Sequence, residues 1–238
     1  MNQSERRRYL IGRLLDEQKN SLNVSIPSDT SEQRKLLRSL MNIRMAGAVD
    51  EEFQRIQDEY LQQINMDKGI VGIDDMAEAQ PDIYIWRGDI TRLRVGAIVN
   101  AANSGMTGCY QPCHSCIDNC IHTYAGVQLR NYCNAMMVKQ GREEPAGQAK
   151  LTPAFNLPCD YVIHTVGPIV RGRLTDEHER LLKSCYSSCM NVADENDVKS
   201  IAFCCISTGV FMFPNERAAQ LAVQTVKEYK EKTKSGMK

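Results

Sequence analysis

Between Gly108 and Asp118 the chain reads Gly-Cys-Tyr-Gln-Pro-Cys-His-Ser-Cys-Ile-Asp, so Cys109, Cys113, His114 and Cys116 fall within eight residues. Thiolate and imidazole are ligands for a soft divalent ion, and zinc takes them in a tetrahedral array at about 2.0–2.3 Å. In an extended segment His114 and Cys116 project to one side and Cys113 to the other. Cys109, beyond the turn at Pro112, folds back to meet the pair. The expected ligands are Cys109, His114 and Cys116, with Cys113 in reserve and Cys120 more remote. Three ligands leave a fourth position open, as in a catalytic site, whereas a fourth thiolate would close the site into a structural one. Asp118 is near enough to act as base or to hold a neighbouring group. It also stands where a carboxylate caps the following helix.

Three further clusters follow apolar strands. Gly88-Asp89-Ile90-Thr91 combines a turn residue with a carboxylate that either accepts from an exocyclic amine such as that of adenine or caps a short helix. Asn100-Ala101-Ala102-Asn103-Ser104-Gly105 lets the backbone approach a ligand. Its two amides offer donors and acceptors to sugar hydroxyls, or else satisfy the local backbone of a turn. Ser207-Thr208-Gly209-Val210-Phe211-Met212-Phe213-Pro214 leads into a helix, where backbone amides suit a diphosphate and Phe211 could lie against a ribose; the plain alternative is a strand–helix loop with packed aromatics. His122 and His164 lie among apolar neighbours and read as core histidines, while His178 reads as exposed.

The elements that position these groups follow from periodicity. Residues 1–68 show helical spacing. Leu10, Leu14 and Leu15 share a face; Asp29-Thr30-Ser31-Glu32 starts a second helix carrying Leu36, Leu37, Leu40 and Met41; a third runs from Val49 to Ile64. From Pro81 the pattern changes. Ile83–Trp86 and Ala97–Val99 read as strands, Ile117–Val138 as one long helix, Tyr161–Val166 as a strand, Asp176–Ala193 as a helix, Ile201–Ile206 as a strand, and Pro214–Glu231 as a helix with proline in its first turn. Strands alternating with helices predict an α/β fold with a largely parallel sheet covered on both sides. Ligands in such sheets bind beyond the carboxyl ends of strands. The expected division is a helical N-terminal extension over 1–80 and a main domain over 81–238.

Composition narrows the function. Twenty-nine basic and 29 acidic side chains cancel. No basic field gathers nucleic acid or anionic lipid, so neither is an expected partner. The N-terminal stretch does not read as a secretory signal, and no apolar run approaches the roughly 20 residues of a membrane span. Ten cysteines in a chain of 238 residues without that signal point to a reduced, cytoplasmic protein. Cys133, Cys185, Cys189, Cys204 and Cys205 read as core residues.

Taken in order, the Gly88–Thr91, Asn100–Gly105 and Ser207–Phe211 motifs resemble the macrodomain family of ADP-ribose-binding folds over about 80–238. That resemblance implies a three-layer α/β fold, a mostly parallel mixed sheet between helices, with the helical extension added. The Cys/His insertion is similar to that of zinc-dependent microbial macrodomains. Those are protein-ADP-ribose hydrolases, often encoded with a sirtuin-type transferase that modifies a lipoylated carrier protein. By this resemblance the cofactor is Zn2+ and the partners are ADP-ribose and a mono-ADP-ribosylated protein. Asp89 contacts adenine, with Ile90 in the same binding set. Asn103 meets the distal ribose, and Ser207, Thr208, Gly209, Val210 and Phe211 meet the diphosphate and distal ribose. Asn103 and Asp118 are the catalytic candidates. The implied reaction is hydrolysis of the bond between the distal ribose and a protein side chain. The alternatives are a reader that binds without cleaving, or a deacylase of O-acyl-ADP-ribose. Two departures stand out. Met212 occupies a position where many macrodomains carry glycine. The chain also stops at Lys238, where family members usually continue into a further strand and helix, so a C-terminally shortened chain is expected.

Overall fold

The computed structural model describes residues 1–18 and 24–238. Three helices come first: α1 (Gln3–Glu17), α2 (Thr30–Ile43) and α3 (Glu51–Asp67). The side chains of Asn2, Asp29 and Asp50 accept from first-turn amides, which satisfies donors that have no partner within the helix. The helices bury Leu10, Leu14, Leu37, Leu40, Phe53 and Ile56 against one another, with Leu15 and Leu36 only partly covered.

Four short strands follow: β1 (Val71–Gly72), β2 (Glu78–Gln80), β3 (Ile83–Tyr84) and β4 (Leu93–Arg94). β1 pairs parallel with β4, and β2 pairs antiparallel with β3, both outside the main sheet. The strand expected over Ile83–Trp86 is therefore cut to two residues. The Trp86 ring folds back over Gly88, where a Cβ would meet it at 2.4 Å, and the chain turns there.

The main sheet contains β5 (Ala97–Ala102), β6 (Ala149–Pro153), β7 (Tyr161–Val166) and β8 (Ile201–Ala202). The strand order is β6-β7-β5-β8, with β5 parallel to β7 and β8 and β6 antiparallel at the edge. The sheet is mixed, as expected, although β6 carries no clear alternation and sequence reading passed over it. The strand expected over Ile201–Ile206 ends at Ala202. Beyond it Ile206 N–H donates to the Cys204 carbonyl, so the chain has left the ladder. For that reason Cys205 is exposed and Cys204 only half-buried, which corrects their reading as core cysteines. Cys133, Cys185 and Cys189 are fully buried.

Helices cover both faces. α6 (Asp176–Glu195) and α7 (Asn215–Thr233) bring Leu182, Cys185 and Leu221 onto Val99 and Ile163. α4 (Ile117–Ala125) and α5 (Val127–Gln140) bring Ile121, Leu129 and Cys133 onto Ile98 and Val162. The alternation of Ile98 with Val99, and of Val162 with Ile163, is the period-2 signature of a strand buried on both sides. The single helix expected over Ile117–Val138 is two helices. Gly126, at φ +97°, separates them, and a Cβ there would lie 2.6 Å from Gln128 Oε1 and 2.8 Å from Gln57 Nε2. α3 thus reaches the break: Gln57 Oε1 accepts from Val127 N–H at 3.0 Å, capping α5.

Candidate active site

Because β5, β7 and β8 are parallel, their carboxyl ends meet at one edge of the sheet, and loops leaving that edge converge. Asn103 leaves β5, Gly167 leaves β7, and the Cys204–Phe213 segment follows β8. Gly167 and Ser207 touch: a Cβ on Gly167 would lie 2.0 Å from Ser207 Oγ, so only glycine permits this approach.

Asn103 and Asp118 are brought together. Asn103 Nδ2 donates to Asp118 Oδ2 at 3.1 Å and to the Gly108 carbonyl at 3.0 Å, while its Oδ1 accepts from Gly105 N–H at 3.0 Å. Both amide hydrogens are spent within the protein. Asn103 can therefore meet a ribose hydroxyl only as an acceptor, which narrows the expected donor-and-acceptor role. Asn100 is fully buried and turned inward, with Nδ2 donating to Asp118 Oδ1 at 2.8 Å and lying 3.1 Å from His164 Nδ1. It supports the carboxylate and does not face a sugar.

Asp118 does not cap α4. Cys116 holds the N-cap position, its Sγ accepting from Asn119 N–H at 3.4 Å. The Asp118 side chain turns to the two asparagines because the sheet edge lies on that side. Burial pushes its carboxyl up to about 6, against the opposing hydrogen bonds from Asn100 and Asn103 and the charge of Arg130. His122 Nε2 lies 3.6 Å from Asp118 Oδ1.

Two groups of donors have metal-ligand spacing among the described residues. In the first, Cys109 Sγ, a ring nitrogen of His114 and Cys116 Sγ lie within 4.8 Å of one another, with Cys109 Sγ 3.8 Å from His114 Nδ1. Burial, with a contribution from the Cys109 thiol, pushes the Cys116 thiol up to about 11. A bound cation would offset the repulsion between adjacent thiolates, so this donor set fits zinc. Cys113 adopts φ +54° and turns toward α2, where its thiol donates to the Lys35 carbonyl at 3.4 Å and meets Ser39 Oγ at 3.2 Å. The segment is thus a turn, closed by His114 N–H donating to the Gln111 carbonyl at 3.2 Å, and not the extended run assumed from spacing. Cys120 Sγ faces Arg38 at 3.5 Å.

The second group is His122, Cys133 and His164, all buried. It lacks the character of a metal site. Both nitrogens of His164 are engaged, by Asn100 at 3.1 Å and Thr152 at 3.0 Å. Burial pushes the Cys133 thiol up to about 12 and holds the His164 ring down at about 3. Both histidines are core residues, as expected. His178 is half-buried and bonded to Thr175 at the start of α6, which corrects its reading as exposed.

Ahead of β4, Asp89 does cap a short helix. Its Oδ1 accepts from Thr91 N–H at 3.0 Å and Thr91 Oγ1 at 2.6 Å. Its Oδ2 lies 3.3 Å from Lys68 Nζ. The carboxylate is exposed, so capping and ligand binding are compatible. Ile90 buries its side chain in the core below. In the loop after β8, Gly209 and Val210 are exposed while Thr208 and Phe211 are half-buried. Ser207 and Met212 take positive φ angles, +64° and +57°. The Phe211 carbonyl accepts from Val170 N–H and the Ser207 carbonyl from Phe213 N–H, each at 2.9 Å.

Residues 99–222 match the family model described as Macro domain. The chain is 60% identical over 242 residues to a protein-ADP-ribose hydrolase of Treponema medium, covering 100% of this chain and 93% of the relative. It is 44% identical over 232 residues to a protein-ADP-ribose hydrolase of Staphylococcus aureus, covering 97% and 87%. The chain belongs to the Macro domain family. Among solved structures it is similar to the Trypanosoma brucei macrodomain in complex with ADP, at 27% identity, TM-score 0.64 and coverage of 84% of this chain and 87% of that one. It is likewise similar to the Oceanobacillus iheyensis macrodomain with ADP, at 36% identity, TM-score 0.57 and coverage of 63% and 77%.

In this macrodomain Met212 lies in the left-handed region, at φ +57°, which favours glycine. Four polar residues that bear on the site went unnoticed in the sequence. Arg38 and Asn42 of α2 and Asn119 of α4 bond the Cys109–Cys116 loop. Arg130 donates to the Thr107 carbonyl at 2.7 Å and to the Met41 and Asn42 carbonyls, and stacks over Tyr110 at 4.3 Å. The only hint was the i, i+4 spacing of Arg38 and Asn42 beside Leu37, Leu40 and Met41.

Proposed function

We propose that this macrodomain is a zinc-dependent hydrolase that removes mono-ADP-ribose from modified protein side chains. The full-length similarity to proteins named protein-ADP-ribose hydrolase supports the activity. The zinc arm rests on one observation above all: the Asn103–Asp118 pair is bonded through Gly108 to the loop that gathers Cys109, His114 and Cys116. The donor loop and the carboxylate at the start of α4 are therefore joined through Asn103 at the end of β5.

The protein's own groups divide the work. Asp89, with one oxygen engaged by Thr91, presents its carboxylate to an adenine amine. The amides of Ser207–Phe211, at the approach to α7, hold the diphosphate. Asn103 orients the distal ribose through its carbonyl oxygen. Asp118, held by two amide donors, accepts a proton from water or from a ribose hydroxyl; ionised, it offsets positive charge developing at the anomeric carbon. Zinc, when bound, supplies Lewis acidity, lowering the pKa of a water or hydroxyl at its fourth position toward about 7. The expected substrate remains a mono-ADP-ribosylated protein in a reducing cytoplasm, with a lipoylated carrier modified by a sirtuin-type transferase as a specific case. No described helix is long and apolar enough to cross a membrane.

The test pairs metal content with release of ADP-ribose from a modified protein, with and without a chelator. Loss of cleavage with ADP-ribose binding kept supports the reading. Cleavage at the native rate by metal-free protein would remove zinc from the chemistry. Binding without cleavage of any linkage by the zinc-loaded protein would make the chain a reader.

A further inference from the structure

The loop that carries the three donors makes little structure of its own. Its internal backbone bonding is the single turn at His114. Side chains from outside bond three of its carbonyls and one of its amides. Asn119 Nδ2 donates to the Gln111 carbonyl at 2.9 Å and to the Cys109 carbonyl at 3.3 Å. Asn42 Oδ1 accepts from Cys113 N–H at 2.9 Å. Arg38 Nη2 donates to the His114 carbonyl at 2.7 Å and to Asn119 Oδ1 at 2.8 Å, and Arg38 Nε adds a longer bond to the same oxygen at 3.3 Å. Through two side chains, the backbone of Cys109 is tied to that of His114.

Arg38 and Asn42 stand one turn apart on α2. That helix is anchored on its other side by Leu37, Leu40 and Met41 in the N-terminal core, and at its end by Arg130 gripping the Met41 and Asn42 carbonyls. A side chain on a packed helix is a firmer support than one on a loop. Groups behind ligands orient them and tune affinity by roughly ten- to a hundredfold.

We propose that the N-terminal helices hold the donor loop in its binding geometry, with Arg38 as the positioning residue that acts through Asn119 and the His114 carbonyl. The helical extension is then a working part of the metal end of the site. Arg38 contacts neither ligand atom nor nucleotide. Its effect is on how long the loop stays assembled, and so on how fast metal leaves. Arg38→Lys preserves charge but gives up the planar fork that spans two acceptors, so it should fall between parent and Arg38→Met. This rests on the zinc reading above for its metal arm only.

The experiment compares parent, Arg38→Lys, Arg38→Met and Asn119→Ser as full chains. Hydrogen exchange of the 109–119 amides and the rate of zinc transfer to a chromogenic chelator are the readouts. ADP-ribose affinity by calorimetry serves as the folding control. The expected result for Arg38→Met is loop exchange and zinc release each about tenfold faster or more, with ADP-ribose affinity within threefold of the parent. Asn119→Ser should reproduce it, and Arg38→Lys should be intermediate. Cobalt-loaded Arg38→Met should also show an altered thiolate-to-metal absorption band. Should Arg38→Met fail to bind ADP-ribose, Arg38→Lys and Asn119→Ser decide the matter. Loop exchange and zinc release within twofold of the parent in the folded variants would overturn the proposal. A parent protein that takes up no zinc would overturn the metal reading instead, and the loop exchange would still decide the role of Arg38.

Discussion

Two loops at the same sheet edge are built in opposite ways. The loop after β5, from Gly108 to Cys116, is held by side chains from three helices, with Arg38 and Asn42 reaching it from a segment more than sixty residues upstream. The loop after β8, from Ser207 to Phe213, is held by backbone bonds to itself and to Val170 and by two residues in the left-handed region. On the proposed reading, the first places side-chain donors to within a few tenths of an ångström for a metal, and the geometry of side chains on a loop has to be supported from behind. The second needs only to present amides, and backbone conformation alone can aim those. What each loop offers its ligand decides what has to brace it.

That contrast is open to direct attack. The largest expected effect is at the metal end: Cys116→Ala should lower de-ADP-ribosylation on the order of a hundredfold or more and remove most zinc by elemental analysis. ADP-ribose affinity should stay within threefold. Full zinc retention would mean that the ligand set is wrong.

Asp89 tests whether the nucleotide end is independent of the metal end. Asp89→Asn keeps an oxygen for the Thr91 cap and removes the charge. It should weaken ADP-ribose binding about tenfold, in line with roughly 1.5 kcal/mol for a charge-assisted bond, and leave zinc in place. Unchanged affinity by calorimetry would take Asp89 out of the adenine site.

The core beneath both loops carries its own pH signature. His164 is held near 3 by burial, in a setting of Asn100, Thr152, Cys133 and His122. The unfolded chain accepts a proton that the folded one refuses, so this residue makes stability fall as pH drops from about 6.5 toward 3. The slope is at most about 1.4 kcal/mol per pH unit. Asp118, raised to about 6 from 3.8, works the other way over that narrower range. Urea midpoints from pH 7 to 4 should therefore decline less steeply in His164→Gln than in the parent. Superimposable profiles would show that His164 does not set the acid limb.

The smallest effect belongs to the backbone-built loop. Met212→Gly relieves a left-handed conformation at the cost of a floppier unfolded chain, leaving a gain of roughly 0.5 kcal/mol. A loss of stability in thermal melts would mean that the exposed Met212 side chain makes contacts that matter.

Much of this molecule was legible in the chain. Alternating apolar residues marked β5 and β7, and helical spacing with Asp29 marked α2. The three strand-end motifs resembled the family to which the chain belongs. Reading failed where local pattern met a tertiary demand. Gly126 splits a run that looks continuously helical because Gln57 and Gln128 crowd its Cα. β8 stops early because the chain turns at Cys204. Asp118 sits where a cap is favourable, yet its side chain answers to Asn100 and Asn103.

By itself the sequence determined which chemistry is available: thiols and an imidazole in one short stretch, amides and a carboxylate at strand ends, and a sheet sandwiched by helices. These follow from residue types and from spacing over a few positions, where backbone periodicity is a sufficient guide. Only the tertiary structure decided which of those groups point at one another. It turned Cys113 away from its neighbours toward α2, and it spent the hydrogens of Asn103 on Asp118 and Gly108. It also put Arg38 behind the donor loop. The reason is physical: side-chain direction in an irregular loop depends on which distant helix supplies the missing hydrogen bonds, and no local spacing encodes that.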